Sequence, residues 1–235
     1  MHSIKLHILT TFLFLSFATQ ASYKVYLIHG YAGLGIELEE IHKAIEKAGY
    51  QGEVYTYPSL AVDVDSVGKS LFHKIQQEKI DTVSFVTHSM GGLVVRAMYK
   101  RINSLTAFPF IHRIVMIAPP NNGSPVADYF SQFSFLKFVV GPNVNNLTSN
   151  PVTGAGKYPV PSCEVGIIAG GMGGKNGFNI FIKGDNDGVL IPNQTSIGSE
   201  KDMVFVKAWH VGILFDKKAI KHVIHFLKNG SFQKL

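Results

Sequence analysis

The stretch Thr82-Val83-Ser84-Phe85-Val86-Thr87-His88-Ser89-Met90-Gly91-Gly92-Leu93-Val94-Val95-Arg96-Ala97-Met98 decides the reading of this chain. A short β-branched and aromatic run ends at a small, tightly turning segment, and a second apolar run of helical character follows. Strand, sharp turn and helix lift the Ser89 hydroxyl out of the end of a sheet and set it at a helix N-terminus. A serine so placed can attack a carbonyl if a histidine takes its proton.

Working outward, the same alternation recurs. Tyr23-Lys24-Val25-Tyr26-Leu27-Ile28 reads as a strand ended by His29-Gly30. Leu38, Ile41, Ile45 and Ala48 recur at helical spacing, and Gly49 ends that helix. Val54-Tyr55-Thr56-Tyr57 reads as a strand closed by Pro58. Val64, Val67, Leu71 and Ile75 mark a second helix with Asp63 as its N-cap. Ile114-Val115-Met116-Ile117, Val165 to Ala169 and Met203 to Val206 read as further strands, and Ile220, Val223, Ile224 and Leu227 as the closing helix. Strands alternating with helices predict a three-layer αβα sandwich around a mostly parallel sheet, with function gathered at the carboxyl ends of the strands. His29-Gly30 and Ser89 both fall at such ends.

Between Ser124 and Pro161 the alternation breaks. Ser124-Pro125 opens a helix, with serine as N-cap and proline at its first position. Tyr129, Phe130, Phe133, Phe135, Leu136, Phe138 and Val139 follow, more apolar surface than one amphipathic face needs. Residues 124–161 are therefore read either as a cap that offers an apolar wall to an acyl chain, with Phe130, Phe133 and Phe138 as substrate contacts, or as an ordinary buried helix and loop.

Composition bounds the function. The chain has 235 residues, 46% apolar and 16% charged, with a formal charge of +6 and a single cysteine. This suits one compact domain that holds without a disulfide. The lysines are scattered, which disfavours nucleic acid as a partner, while the charge suits transient contact with an anionic membrane surface. Lys5 and His7 precede an apolar run from Ile8 to Phe17, with small residues at Ala18 and Ala21, so residues 1–21 read as a secretory signal peptide and residues 22–235 as the mature domain. The run falls short of the roughly 20 apolar residues that a spanning helix needs.

A nucleophilic serine requires a base and an orienter. Of the ten histidines, most belong to the leader, to helices or to a strand start. His88 adjoins Ser89 but points away from it, and His29 begins a turn with another use. His210, in the loop after the last strand, remains as the base. Asp185 and Asp187 lie in one turn, and their residue chemistry does not separate them as orienter. The oxyanion of a tetrahedral intermediate needs backbone donors: the Met90 N–H at the helix start and the Tyr31 N–H after the first strand, where Gly30 allows close approach. Asp185-Asn186-Asp187-Gly188 lacks the rest of a calcium loop, and Gly170 to Gly174 reads as a flexible loop that lacks the lysine and spacing of a phosphate loop. No metal or organic cofactor is expected.

His29-Gly30, Thr87-His88-Ser89-Met90-Gly91-Gly92, Asn186-Asp187-Gly188-Val189 and His210 together resemble the α/β-hydrolase superfamily, and within it the small serine lipases and esterases. The resemblance runs from Tyr23 to the C-terminal helix and includes Ala118 to Ser124, where the cap of such enzymes begins. It implies the chain order Ser, Asp, His and a triad acid at Asp187 rather than Asp185. It also implies hydrolysis of esters of lipid or other acyl substrates, with thioesterase, amidase and acyltransferase chemistry open to the same triad. A catalytically silent binding protein is the alternative from another class. One departure stands out: the first glycine of the family's motif is Thr87 here.

Overall fold

A computed structural model of the chain describes residues 22–103, 106–133 and 141–233. The expected leader, residues 1–21, and Phe135, Leu136, Phe138 and Val139 lie outside the described residues.

Six strands form one sheet: β1 (Tyr23–Ile28), β2 (Gln51–Tyr55), β3 (Thr82–His88), β4 (Phe110–Ile117), β5 (Glu164–Gly171) and β6 (Asp202–Lys207). Their order is β2-β1-β3-β4-β5-β6, and every neighbouring pair is parallel. The helices are α1 (Glu39–Lys47), α2 (Val64–Gln77), α3 (Gly91–Tyr99), α4 (Pro125–Ser131) and α5 (Lys217–Asn229). Successive strand residues point to opposite faces, and the core divides accordingly. Tyr26, Ile28, Phe85, Ile114, Met116 and Ile167 meet α2 and α3, whereas Val25, Leu27, Val86, Val115, Ile117 and Ile168 meet α1 and α5. Both faces of the sheet are thus covered, which gives the three-layer sandwich that the sequence predicts.

The helix ends follow local chemistry. Asp63 accepts a hydrogen bond from the Ser66 N–H at 3.0 Å and caps α2, and Asp216 does the same for α5 through the Lys218 and Ala219 N–H groups. Three expectations need correction. The second strand runs over Gln51–Tyr55 rather than Val54 to Tyr57. It is the sheet edge, so its first residues can be polar without losing their ladder to Lys24–Ile28. Gly170 and Gly171 continue β5 instead of opening a loop. A side chain at Gly170 would lie 3.1 Å from the Asp187 Cβ, and one at Gly171 2.8 Å from the Asp185 carboxylate, so glycine here lets the acidic turn pack against the strand. Ser124 does not cap α4 with its side chain; its hydroxyl donates to the Val189 carbonyl at 2.9 Å and ties α4 to that same turn.

The irregular chain over residues 141–161 is fastened by buried polar side chains. Asn143 donates to the Ser59 and Val62 carbonyls and accepts from the Val64 N–H, which pins it to the start of α2. Arg96, almost fully buried on α3, donates to the Tyr158, Pro159 and Asn121 carbonyls. Burial lowers its pKa to about 10. These bonds fasten irregular chain beside the sandwich and pair the buried polar groups that make them.

Leu71 is fully buried between α2 and the sheet, whereas Val152 is exposed. Leu71→Ala should lower unfolding free energy by about 2–5 kcal/mol, and Val152→Ala should change it by less than about 0.5 kcal/mol. Urea denaturation measures both, and equal effects would contradict the packing described.

Candidate active site

Ser89 stands between β3 and α3 with φ of +50°, a left-handed conformation unusual for a residue with a side chain. The turn is held on several sides. The Ser89 N–H donates to the Ile117 carbonyl at 2.9 Å, and the Gly92 N–H donates back to the Ser89 carbonyl at 3.0 Å. A Cβ on Gly91 would fall 2.4 Å from the Ile28 carbonyl oxygen, so α3 starts hard against the end of β1 and only glycine fits. Thr87 is accommodated because its hydroxyl faces Gly92, where an added Cβ would still be 3.5 Å away. That hydroxyl is buried without a hydrogen-bond partner, a cost of about 1–3 kcal/mol.

The structure brings Ser89, His210 and Asp187 into one line. His210 Nε2 lies 2.9 Å from Ser89 Oγ, and His210 Nδ1 lies 2.7 Å from Asp187 Oδ2. The carboxylate accepts from Nδ1–H, so Nε2 carries its lone pair toward the serine hydroxyl. The other Asp187 oxygen, Oδ1, accepts from the Val189 and Leu190 N–H groups at 2.9 and 2.7 Å. The His210 N–H donates to the Asp187 carbonyl at 2.8 Å, which joins the two loops by backbone as well. All three residues are buried or nearly so. Asp185 faces elsewhere: its carboxylate accepts from the Met172 and Gly173 N–H groups and closes the loop after β5.

The proposed oxyanion donors belong to two segments that meet at Ser89. Met90 sits at the start of α3, its side chain fully buried. Tyr31 follows Gly30, where a Cβ would come within 2.9 Å of the Ser89 Cβ. The His29-Gly30 turn is itself fixed. Tyr57 stacks on the His29 ring at 4.1 Å and donates its hydroxyl to the His29 carbonyl, while the Tyr57 N–H donates to His29 Nε2. With Nε2 accepting, His29 Nδ1 carries the proton and donates to the Gly30 carbonyl at 2.8 Å.

Two contributors escape sequence reasoning. His88 does point away from Ser89, but its Nε2–H donates to the His210 carbonyl at 2.9 Å and so helps hold the second histidine. Burial, reinforced by the neighbouring His210, pushes its pKa down to about 3, so it stays neutral. Asn186 is the other. Its Nδ2 donates to the Asn179, Ile182 and Gly184 carbonyls and its Oδ1 accepts from the Asn179 and Gly188 N–H groups, which folds residues 179–188 around it. Only its place in an Asn-Asp-Gly run signals this in sequence.

Beside the acidic turn a groove of about 580 Å³ is lined by Pro125, Val126, Tyr129, Phe130, Asn179, Phe181 and Ile182. Phe130 is on its wall; Phe133 instead packs edge-on against Tyr129, and Phe138 lies outside the described residues. Phe181, 92% exposed, is a groove residue that no periodicity marks. A second cavity of about 530 Å³, lined by Tyr99, Phe108, His112 and Cys163, opens at the amino ends of the strands, away from Ser89. Burial raises the Cys163 thiol pKa, and Tyr99 Oη contacts the sulfur, so this cysteine is a packing residue. Among the described residues, no cluster of three or more His, Cys, Asp or Glu side chains could hold a metal ion.

His88 yields a testable consequence. Its folded pKa lies below the ordinary histidine value, so the unfolded chain binds more protons. The stability contributed by neutral His88 is complete above about pH 6.5 and is lost as pH falls toward 3. His88→Gln, whose amide can donate to the same carbonyl without titrating, should flatten the fall in unfolding free energy below about pH 6.5. His88→Ala should cost about 1–3 kcal/mol at neutral pH by leaving the His210 carbonyl unpaired. Identical pH slopes for wild type and His88→Gln would contradict this.

Residues 28–154 match the model of a family described as Domain of unknown function (DUF7379). No curated protein matches the sequence significantly. Among solved structures, the mature lipase BlEst2 of Bacillus licheniformis superposes with a TM-score of 0.64 at 18% identity, over 89% of this chain and 92% of that one. The phospholipase PlaB of Legionella pneumophila gives 0.67 at 18% identity, over 90% of this chain and 60% of its own. The Staphylococcus hyicus lipase gives 0.62 at 14% identity, over 89% and 94%. At these identities the likeness speaks for the fold. The chain has the α/β-hydrolase fold and belongs to the DUF7379 family.

Proposed function

We propose that this protein is an exported serine hydrolase that cleaves carboxylic esters of lipid or other acyl substrates. The observation that carries the reading is the continuous relay from Ser89 through His210 to Asp187, at 2.9 and 2.7 Å. The lipase and esterase names among proteins of the same fold support it. In this reading residues 1–21 are a removed signal peptide, residues 22–235 form one hydrolase domain, and residues 124–161 act as its cap. No described helix is long and apolar enough to cross a membrane.

Ser89 Oγ attacks the ester carbonyl while its proton passes to His210 Nε2. Asp187, already bonded to Nδ1–H, keeps that tautomer and stabilises the imidazolium that forms. The carbonyl oxygen gains negative charge next to the Met90 and Tyr31 N–H groups, and each such donor contributes roughly 3 kcal/mol to the transition state. As the tetrahedral intermediate collapses, His210 returns the proton to the departing alkoxide, and an acyl-enzyme remains on Ser89. Water, deprotonated by His210, attacks the acyl carbon, and Ser89 leaves with the proton as the free acid departs. No cofactor is required. The strained backbone at Ser89 holds Oγ clear of the sheet without an ordering cost at the moment of reaction.

In this reading the groove beside the acidic turn receives the acyl chain, with Phe130 on its wall and Phe133 packed against Tyr129, and Phe138 is proposed as a further substrate contact.

Steady-state kinetics on p-nitrophenyl esters test the assignment. Ser89→Ala and His210→Ala should each lower kcat by about 10⁴-fold or more. Asp187→Asn should lower it far more than Asp185→Asn; the reverse ranking would move the acid. Wild-type activity equal to that of Ser89→Ala would sink the hydrolase reading. Phe130→Ala should reduce kcat/KM for long-chain esters about tenfold while sparing acetate, in keeping with the loss of buried apolar contact. Equal losses on both would leave Phe130 a packing residue only.

A further inference from the structure

Within the loop that Asp185 closes after β5, the chain makes a turn at residues 179–182. Ile180 is 86% exposed and Phe181 92% exposed, side by side at its tip. Bare apolar side chains at consecutive positions call for an explanation. The turn is no loose loop. The Asn179 N–H donates to Asn186 Oδ1, the Phe181 N–H to Asn179 Oδ1 and the Ile182 N–H to the Asn179 carbonyl, while the Asn179 and Ile182 carbonyls accept from Asn186 Nδ2. The tip therefore satisfies these backbone groups internally, which removes much of the usual penalty for placing a turn in an apolar layer.

Charge narrows the occupant. Lys175 and Lys183 flank the turn, both exposed, and neither belongs to an ion pair among the described residues. From Met172 to Gly184 there is no acidic residue, and Asp185 is bonded to the Met172 and Gly173 N–H groups. On the same edge of the sheet Trp209, one residue before His210, is half-exposed, as is Phe178. Aromatic and aliphatic tips ringed by unpaired ammonium groups match the layered chemistry of a lipid surface, apolar beneath and anionic above. Two exposed side chains on a four-residue turn are a poor match for a stable protein interface, which needs about 800 Å² from each partner.

We infer that the turn at residues 179–182 is a preformed anchor that seats the carboxyl edge of the sheet on an anionic lipid surface, Ile180 and Phe181 entering the interface and Lys175 and Lys183 meeting its head groups. The anchor stands on exposure, backbone bonding and charge, and does not require that Ser89 be a nucleophile. In combination with the hydrolase reading it would place the acyl groove, which Phe181 shares, beside its lipid substrate.

Sedimentation of the full mature chain with phosphatidylcholine vesicles, with and without phosphatidylglycerol, tests this. Wild type should bind the phosphatidylglycerol vesicles more strongly, and high salt should weaken that binding. Ile180→Asp should lower the partition coefficient about tenfold or more on both vesicle types. The double variant Lys175→Gln, Lys183→Gln should lose most of the preference for phosphatidylglycerol. Both should retain wild-type thermal unfolding and the wild-type rate on a soluble acetate ester. Ser89→Ala should bind vesicles as wild type does; if it does so while wild type hydrolyses no ester, the anchor stands and the hydrolase reading falls. Wild-type vesicle binding by Ile180→Asp, or no binding by wild type, would overturn the inference. So would a solution dimer of wild type that Ile180→Asp dissolves, since that would mark the tip as a protein contact.

Discussion

The site depends on the backbone of one residue, Ser89, held at a φ of +50°. Such a conformation costs of order 1–3 kcal/mol and persists only where surroundings enforce it. Here the enforcement is close packing at the carboxyl edge: Gly91 against the Ile28 carbonyl, Gly30 against Ser89 itself, and the Ser89 N–H bonded to Ile117 across the sheet. The same contacts fix where β1 ends, where α3 begins and how the His29-Gly30 turn approaches. Loosening any of them would release the serine from its strained backbone conformation, so fold and site are one construction at this edge.

A second layer of control lies in groups that touch no substrate. His88 and Asp187 hold His210 from two directions, one through its carbonyl and one through its ring, while the Val189 and Leu190 N–H groups and Asn186 hold the acidic turn. His29 and Tyr57 hold the opposite wall. The bonds leave each imidazole one tautomer, set by what the other nitrogen touches. For the proposed relay, bonds fixed in this way are the arrangement that electrostatic preorganisation requires.

Much of this was legible in the sequence for a physical reason. Buried parallel strands are continuous apolar runs, helices between them carry a single apolar stripe, and the turn at Ser89 needs small neighbours; each leaves a local mark. The layering and the positions of Ser89 and His210 at strand ends follow from those marks. What stayed hidden depends on distant partners. Asp185 and Asp187 share one turn and their residue chemistry does not separate them; the resemblance points to Asp187, and the fold supplies the reason, since Asp185 faces Met172 and Asp187 faces His210. Gly170 and Gly171 look like loop until the acidic turn is packed against them. Ser124 looks like a helix cap until Val189 claims its hydroxyl. Asn143 and Arg96 fasten irregular chain by long-range bonds that no periodicity encodes. No pattern in the sequence marks Ile180 and Phe181 as exposed, because apolarity alone does not tell inside from outside.

The central claim is that Ser89 is a nucleophile activated by His210. Covalent labelling of the folded protein with a fluorophosphonate, followed by peptide mass spectrometry, addresses it directly, since such a probe traps an activated serine without reference to any chosen substrate. One adduct is expected, on Ser89, abolished by His210→Ala and by prior heat denaturation. Absence of label on Ser89 in the folded protein, or label on it that persists in His210→Ala, would contradict the account.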